Sequence, residues 1–580
     1  MSPASNLAPN FVSNPLPQLS GAEIIVRSLE RRGVNVVVGI PGGALLPVYG
    51  ALARCSRIRH ILARHEQAAG FIAQGIARMT HRAGVCLATS GPGVTNMLTA
   101  LADAKLDSIP LVCITGQVPT HFIGTDAFQE VATIELAKPV TKAAFFAESA
   151  DQLSELLAEA FYVAESGRPG PVLIDVPKDV QLQRASCEMA RSQHERVRLP
   201  KFDEEFDSAS EMLAAAQRPL FYVGGGVVKA RAEKLLRRLA EKMSIPTVSS
   251  LMAMGALPHD HPLYLGMLGM HGSRVTHHAI DECDLLIAIG VRFDDRATGD
   301  PNRFASNAKI IHIDIDAREF GKIKAPTLAI HADAWTALTQ LNQRARSCAR
   351  SEWLDRIATL RRKYPDQECD ATHPLSIIRA VGAALPHDAI LTTDVGQHQM
   401  WVAQSYPFTR ADRWLTSGGL GTMGFGVPAA IGAAIAEPEA TVVCFTGDGS
   451  LLMNIQELAT LAELDLAVKI VLFDNGGLGM VRQQQELFYG RCVYAAHYQA
   501  NSDFVAIARA FGIQAYDVNC DGDIGSQLRC ALSTLGPVLI RIRVDHRHAV
   551  SPMVGPGSAN IDAIDCEFVS DHRPVGDGPH

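Results

Sequence analysis

The sequence predicts an α/β protein made of three doubly wound parallel-sheet domains. Three observations carry that prediction. Short β-branched apolar runs recur along the chain, each followed by a glycine or proline turn and then a helical pattern, which is the order of a βαβ unit. Two charged, aperiodic stretches, residues 183–205 and 345–373, divide these units into three groups. The length, 580 residues, is too great for one core. The expected organisation is a disordered arm (1–19), a first domain (20–182), a linker (183–205), a central domain (206–344), a linker (345–373), a third domain (374–545) and a tail (546–580).

Composition narrows the function classes. Hydrophobic residues make up 47% and charged residues 20%, a globular balance. A net charge of −8 leaves no basic surplus to neutralise phosphates, which argues against nucleic acid as the main partner. No apolar run approaches the roughly 18 residues of a membrane span. The arm is rich in Ser, Asn and Pro and has no Lys or Arg, unlike a signal or transit peptide. The 12 cysteines form no CxxC pair, and several lie in apolar runs, as free thiols of a reducing cytosol would. A cytoplasmic location is expected.

In the first domain Ser20, with Glu23 three residues on, forms a capping box that opens a helix. Val34–Ile40 reads as a buried strand ending in the turn Pro41-Gly42-Gly43. Ile58–Ala63 is a second strand, ending at Arg64-His65-Glu66-Gln67 before an Ala/Gly-rich helix over Ala68–Ala77. On its own, Glu66 reads as a carboxylate favoured by a helix N-terminus. Val85–Thr89 runs into Ser90-Gly91-Pro92-Gly93 and a helix from Thr95. Strands follow at Leu111–Thr115 and Pro171–Val176, the latter ending in Pro177-Lys178-Asp179.

The central domain opens with Pro219–Val223, which leads into Gly224-Gly225-Gly226. Leu285–Gly290 and Lys309–Ile315 are further strands, and the last carries Asp314 and Asp316 at its end. A carboxylate there can accept a ribose hydrogen bond in nucleotide-binding folds, although three glycines alone are weak evidence. Asp294-Asp295-Arg296 alone reads as an exposed ion-pair cluster.

The third domain begins with a helix over Leu375–Leu385 and a strand at Ala389–Thr393 that ends in Asp394-Val395-Gly396-Gln397-His398. A glycine-rich segment, Gly418–Gly426, precedes an Ala-rich helix with Pro428 in its first turn. The strand Thr441–Phe445 ends in Gly447-Asp448-Gly449-Ser450, a helix is expected over Met453–Leu464, and the strand Val468–Phe473 ends in Asp474-Asn475-Gly476-Gly477. A last strand is expected at Val538–Val544, and the Gly/Pro-rich tail reads as loop. Asp448 and Asn475 thus place hard oxygen donors at the ends of two strands, a set that suits Mg²⁺ with a diphosphate. The glycines admit backbone N–H groups to phosphate oxygens.

Asn475 follows Asp448 by 27 residues. This spacing resembles the thiamine diphosphate (ThDP) motif, with Asp474 where the first of two asparagines is usual. Beside it, Gly39-Ile40-Pro41-Gly42-Gly43, Arg64-His65-Glu66-Gln67, Thr89–Gly93, Ile114–Pro119, Gly124–Glu130, Pro177–Val180, Gly266–Gly272, Arg292–Arg296 and Val395–Trp401 complete a pattern. Over about Ser20–Asn560 the chain resembles the catalytic large subunits of acetohydroxyacid synthase (acetolactate synthase), of the bacterial isozyme I type.

The resemblance implies a transferase that decarboxylates pyruvate with ThDP. It joins the two-carbon unit to a second 2-ketoacid, pyruvate or 2-ketobutyrate, in the first common step of branched-chain amino acid biosynthesis. The first domain would bind the pyrimidine of ThDP and the third its diphosphate, from different subunits of a homodimer or homotetramer. Glu66 would meet the aminopyrimidine and, in an apolar pocket, share a proton with it. Met423 would be the apolar wedge that bends the cofactor. Gly42, Val395, Gly396, Gln397, His398, Gly421, Gly447, Gly449 and Ser450 would contact ThDP, and Asp448, Asn475 and the Gly477 carbonyl would hold Mg²⁺. FAD, in a structural role, would lie in the central domain against Gly224, Gly225, Gly226, Met270, His271, Arg292, Asp314 and Asp333. Phe128, Gln129 and Lys178 would reach the site across the dimer. Arg296 would grip the carboxylate of the second 2-ketoacid. A small regulatory subunit is a further implied partner.

The chain departs from the pattern at three places. Gln484 stands where many relatives have a Trp that favours 2-ketobutyrate, Ala143-Ala144 replaces His-Asn, and Gly476-Gly477 is more glycine-rich than usual. The alternatives are sister ThDP enzymes and, in a different class, a binding or regulatory protein that kept the fold and lost the chemistry, against which every catalytic position named above is intact. Glyoxylate carboligase lacks the carboxylate at the Glu66 position, and pyruvate oxidase uses FAD for redox chemistry.

Overall fold

The structure, a computed structural model, describes residues 18–186 and 203–566. It contains three six-stranded sheets, each wholly parallel, plus one two-stranded antiparallel ribbon. The first sheet comprises β2 (Val36–Gly39), β3 (Arg59–Leu62), β4 (Gly84–Ala88), β5 (Leu111–Gln117), β6 (Ala143–Phe146) and β7 (Pro171–Pro177), in the order β3-β2-β4-β5-β7-β6. The ribbon pairs β1 (Gln18–Ser20) with β8 (Arg184–Ser186). The central sheet comprises β9 (Pro219–Val223), β10 (Thr247–Ser249), β11 (Tyr264–Met267), β12 (Leu285–Ile289), β13 (Lys309–Asp314) and β14 (Leu328–His331), in the order β11-β10-β9-β12-β13-β14. The third comprises β15 (Ile390–Thr393), β16 (Trp414–Leu415), β17 (Val442–Gly447), β18 (Val468–Asp474), β19 (Gln514–Val518) and β20 (Val538–Arg543), in the order β16-β15-β17-β18-β20-β19.

The strand order reverses between β2 and β4 in the first sheet, between β9 and β12 in the central one and between β15 and β17 in the third, and the first and third reverse again at one edge, where β7 lies inside β6 and β20 inside β19. Crevices at such reversals, beyond the carboxyl ends of the strands, are where open α/β sheets take ligands. The turns picked out in the sequence lie there: Pro41–Gly43 with Thr89–Gly93, Gly224–Gly226 with Gly290, and Asp394–Gln397 with Gly447–Ser450.

The first and third sheets share a core. The helix Glu66–Thr80 lies against the helix Gly426–Ala436, and two glycines allow the close approach. A Cβ on Gly75 would stand 2.3 Å from the Ala429 carbonyl oxygen, and one on Gly432 would stand 2.1 Å from that of Ile72. The rings of Phe71 and Phe425 meet edge to face, 5.3 Å apart, and burying one such side chain contributes about 2–3 kcal/mol. The faces of the central sheet carry their own clusters.

Several expectations need correction. Gln18 and Leu19, expected in the disordered arm, belong to β1; residues 1–17 lie outside the described residues. The expected linker 183–205 contains β8 and the start of the helix Asp203–Ala215, while residues 187–202 are not described. The second linker contains the helix Ser351–Lys363. Its charges face outward, whereas Trp353, Ile357 and Leu360, spaced at helical intervals, are buried on the central domain. Trp353 Nε1 donates to the Pro219 carbonyl at 3.0 Å. The expected helix Met453–Leu464 is two helices, Asp448–Met453 and Glu457–Glu463. They break at Asn454, whose amide donates to the Gly424 carbonyl at 2.8 Å. The capping box at Ser20 and Glu23 is present. Among the described residues, no helix is long and apolar enough to cross a membrane.

Candidate active site

At the third sheet the turn after β15 meets the turn after β17. Ser450 Oγ donates to the Val395 carbonyl at 2.8 Å and locks the two together. A Cβ on Gly447 would stand 2.9 Å from His398 Nδ1, so glycine makes room for the ring. Burial lowers the His398 pKa to about 3, which keeps the imidazole neutral, and its buried Nε2 has no partner. Gln397 is fully engaged. Its amide nitrogen donates to Gln483 Oε1 and to the His548 carbonyl, both at 2.9 Å, and its oxygen accepts from Asn475 Nδ2 at 3.3 Å. Its side chain therefore orients Asn475, leaving the backbone of this first helical turn to face a ligand.

Asp448 accepts the N–H of Gly449 at 2.8 Å and of Gly477 at 2.9 Å. Burial raises its pKa to about 6. The pair of bonds folds the β18 turn back over the β17 turn and brings Asp448, Asn475 and Gly477 together. Asn475 Oδ1 is buried without a partner, an orphan that a cation would satisfy. One carboxylate, one amide oxygen and one carbonyl form a hard-oxygen set that fits Mg²⁺. Among the described residues, no group of three His, Cys, Asp or Glu could hold a softer metal.

Met423 lies beside these turns. Its neighbour Gly424 has φ +88° and donates its N–H to Asp394 Oδ1 at 2.6 Å. Asp394 Oδ2 accepts from the Thr446 hydroxyl at 3.0 Å, and burial raises its pKa to about 6. The sequence reading passed over Asp394 as a strand end, although its place immediately after β15 at the sheet reversal is the signal that would have found it.

One cavity of about 890 Å³ runs from these turns to those of the central sheet. Its walls bring together Val395, Gly396, Gln397, His398, Gly421, Met423, Gly447, Asp448, Gly449, Ser450, Asn475, Gly477 and Gln484 with Gly225, Gly226, Met270, His271, Arg292, Arg296, Asp314 and Asp333. At the central end a Cβ on Gly226 would stand 2.6 Å from the Gly290 Cα. Gly224 makes the same approach but does not line the cavity. Burial raises the Asp314 pKa to about 6 while one oxygen accepts the Asp316 N–H at 2.8 Å. Both Asp333 oxygens cap the next helix, accepting Thr336 N–H at 3.0 Å and its hydroxyl at 2.5 Å. His271 is lowered to about 4 by burial and has an unpartnered Nδ1. Arg292 donates to the Leu106 carbonyl at 2.7 Å. Arg296 is mostly exposed, beside Asp295 at 3.8 Å. Glycine turns, orphan imidazole nitrogen and cations together fit a dinucleotide such as FAD. Lys229, which the sequence reading missed, also lines this end, with Nζ 3.2 Å from a Cβ on Gly225. Burial first, then Arg78, lowers its pKa to about 8. Its position four residues after Gly225, one helical turn on, was the available signal.

The first-domain residues are elsewhere. Glu66 heads its helix, and its Oε2 accepts from Asn96 Nδ2 at 3.0 Å. A Cβ on Gly42 would stand 2.4 Å from that of Thr89. Phe128 is 88% exposed. Gln129 has φ +62° and packs against Gly91, and Lys178 opens a short helix after β7. None of Gly42, Glu66, Phe128, Gln129 and Lys178 lines the cavity that holds Met423 and Asp448.

Three family models match the chain. Residues 19–136 match the N-terminal TPP binding domain of thiamine pyrophosphate enzymes, 206–341 their central domain, and 394–542 their C-terminal TPP binding domain. The chain is 51% identical to the acetolactate synthase isozyme 1 large subunit of Escherichia coli K12, covering 96% of this chain and 100% of the relative. It is 46% identical to the isozyme 2 large subunit of the same organism, over 94% and 100%. It is 44% identical to the chloroplastic acetolactate synthase 2 of Nicotiana tabacum, over 96% and 87%.

Proposed function

The chain belongs to the acetolactate synthase family of thiamine pyrophosphate enzymes, and from that premise we propose that its active centre is completed by two copies of the chain. The enzyme decarboxylates pyruvate and joins the two-carbon unit to a second 2-ketoacid, in branched-chain amino acid biosynthesis, with ThDP, Mg²⁺ and FAD as cofactors. One observation carries the two-chain reading: Glu66 stands outside the cavity walled by Met423 and Asp448. A second copy would bring Glu66 to that cavity, and would cover Phe128, which is 88% exposed.

Bound ThDP supplies the electron sink for the decarboxylation. The rest falls to side chains of this chain. Asp448, Asn475 and the Gly477 carbonyl would hold Mg²⁺, and the backbone of the glycine turns, with neutral His398, would bind the diphosphate. Met423, on the cavity wall, would be the apolar wedge against the cofactor. Glu66, oriented by Asn96, would hold a proton shared with the aminopyrimidine ring. Gln129 and Lys178, from the same copy as Glu66, close the substrate side. Arg296, free of a tight ion pair, takes the carboxylate of the second 2-ketoacid. Gly225 and Gly226, which line the central end of the cavity, would help to hold FAD in a structural role.

A small regulatory partner is proposed by analogy with the E. coli relatives, which are named large subunits. A cytoplasmic location is proposed on the free thiols of Cys86, Cys113, Cys283 and Cys444. The test is to incubate the purified protein with pyruvate, ThDP, Mg²⁺ and FAD, with and without 2-ketobutyrate, and measure acetolactate. Production that vanishes in Glu66→Gln supports the reading. Bound cofactors without acetolactate, regulatory partner included, would oppose it.

A further inference from the structure

We propose that Asp103 and Asp107, on the first-domain helix Pro92–Asp107, are positioning residues that set Met423 in the third domain. The inference rests on reading Met423 as the wedge against the cofactor.

The segment from Ser417 to Gly424 contains four glycines, and two of them, Gly421 and Gly424, have φ of +68° and +88°. Such a chain gains little order from its own residues, so its shape must come from what holds it. Four of the segment's hydrogen bonds end on two carboxylates of the first domain. Asp103 accepts from the Ser417 hydroxyl in a short bond and from the Thr422 hydroxyl at 3.0 Å. Asp107 accepts the N–H of Gly418 at 3.1 Å and of Gly419 at 2.7 Å. Ser417 Oγ in turn accepts the Thr422 N–H at 2.8 Å. Met423 follows directly, with Gly424 pinned to Asp394 on its far side.

The clamp is itself braced. Asp103 and Asp107 are four residues apart and so share a helix face. Both are buried, and each is answered from the helix that Glu66 heads: Gln74 Nε2 donates to Asp103 at 3.1 Å, and Arg78 donates to Asp107 at 2.9 Å. The Arg78 guanidinium also lies 5.2 Å from the ring centre of Phe425, two residues past Met423. Asn96, the partner of Glu66, is on the same helix as the two aspartates. The helix of Glu66, the helix of Asn96 and the Met423 segment therefore form one hydrogen-bonded unit within a chain. A wedge acts on cofactor shape and not on pyruvate binding, so loosening the clamp should appear in kcat and spare KM.

The experiment compares Asp103→Asn, Thr422→Val and Thr422→Ser as full chains with ThDP, Mg²⁺ and FAD. It reads kcat, KM for pyruvate, exchange of the C2 proton of bound ThDP, flavin content and melting temperature. The expected result for Asp103→Asn is a kcat about tenfold lower, as small misplacements of reacting groups produce. Exchange should slow in step, with KM, flavin content and melting temperature unchanged. Thr422→Val should show a smaller loss of the same kind and Thr422→Ser should match the parent; this pair decides the matter if Asp103→Asn does not fold. Parent-like kcat and exchange in Thr422→Val and Asp103→Asn would overturn the proposal, as would an equal loss in Thr422→Ser. A parent enzyme that forms no acetolactate would overturn the functional reading alone, since the exchange rates still report on the clamp.

Discussion

Asn96 donates its side-chain amide to Glu66 Oε2 at 3.0 Å, which ties the carboxylate that heads one helix to the second turn of another. The bond fixes the direction in which Glu66 presents its other oxygen, toward the Gly93 turn. Removing it in Asn96→Ala should lower kcat about tenfold, the equivalent of one charge-assisted hydrogen bond of roughly 1.4 kcal/mol. ThDP affinity should stay near the parent value. Steady-state kinetics with a ThDP titration checks both, and an unchanged kcat would count against the orienting role.

Asn475 Oδ1 is the buried atom left without a partner at the cation set. Asn475→Ala should weaken Mg²⁺-dependent ThDP binding by about tenfold to a hundredfold, the range typical of disturbed metal surroundings. The measurement is ThDP binding followed by fluorescence at several Mg²⁺ concentrations. Affinity equal to the parent's at low Mg²⁺ would place the cation elsewhere.

Asp175, within β7, is buried among Thr115, Gln117 and Thr133, and burial raises its pKa to about 7. Its folded pKa is above its unfolded one, near 3.8. The stability it contributes is therefore complete below that lower value and is lost as pH rises through about 7. Melting temperatures taken from pH 5 to 8, roughly the window of the shift, should fall more steeply for the parent than for Asp175→Asn. Parallel curves would show that Asp175 does not titrate in that range.

Gln484 lines the same cavity as Met423. The resemblance places a Trp there in relatives that favour 2-ketobutyrate. Gln484→Trp should raise the ratio of acetohydroxybutyrate to acetolactate about tenfold, within the 1–3 kcal/mol that a pocket gains from apolar contact. Product analysis with equal pyruvate and 2-ketobutyrate gives the ratio, and no change would remove this residue from acceptor choice.

The sheet reversals and their turns were legible because a buried parallel strand is a continuous apolar run that must end in a turn. Val442–Gly447 and Val468–Asp474 needed only that rule. The edge strands β6, β14 and β19 escaped because they are short and only half buried, with mixed composition. The helix Ser351–Lys363 escaped because its charges hid the apolar spacing of Trp353, Ile357 and Leu360. At the site, Asp448 and Asn475 were readable from type and spacing. Asp394 and Lys229 carried local signals that were passed over, a strand end at the sheet reversal and a place one helical turn after Gly225, whereas Asp103 and Asp107 carried none, because they act on a segment far away in the chain that only the fold brings near.

The central claim is that Glu66 of one copy works with Met423 and Asp448 of another. Mixing two inactive variants, Glu66→Gln and Asp448→Ala, after dissociation and reassembly tests it most directly, with acetolactate formation as the readout. A mixed dimer would contain one site with both residues intact, so about a quarter of the parent activity should return if copies pair at random. If the mixed dimers form, as tagged copies would show, and no activity returns, each site is built within a single chain and the two-copy reading is wrong.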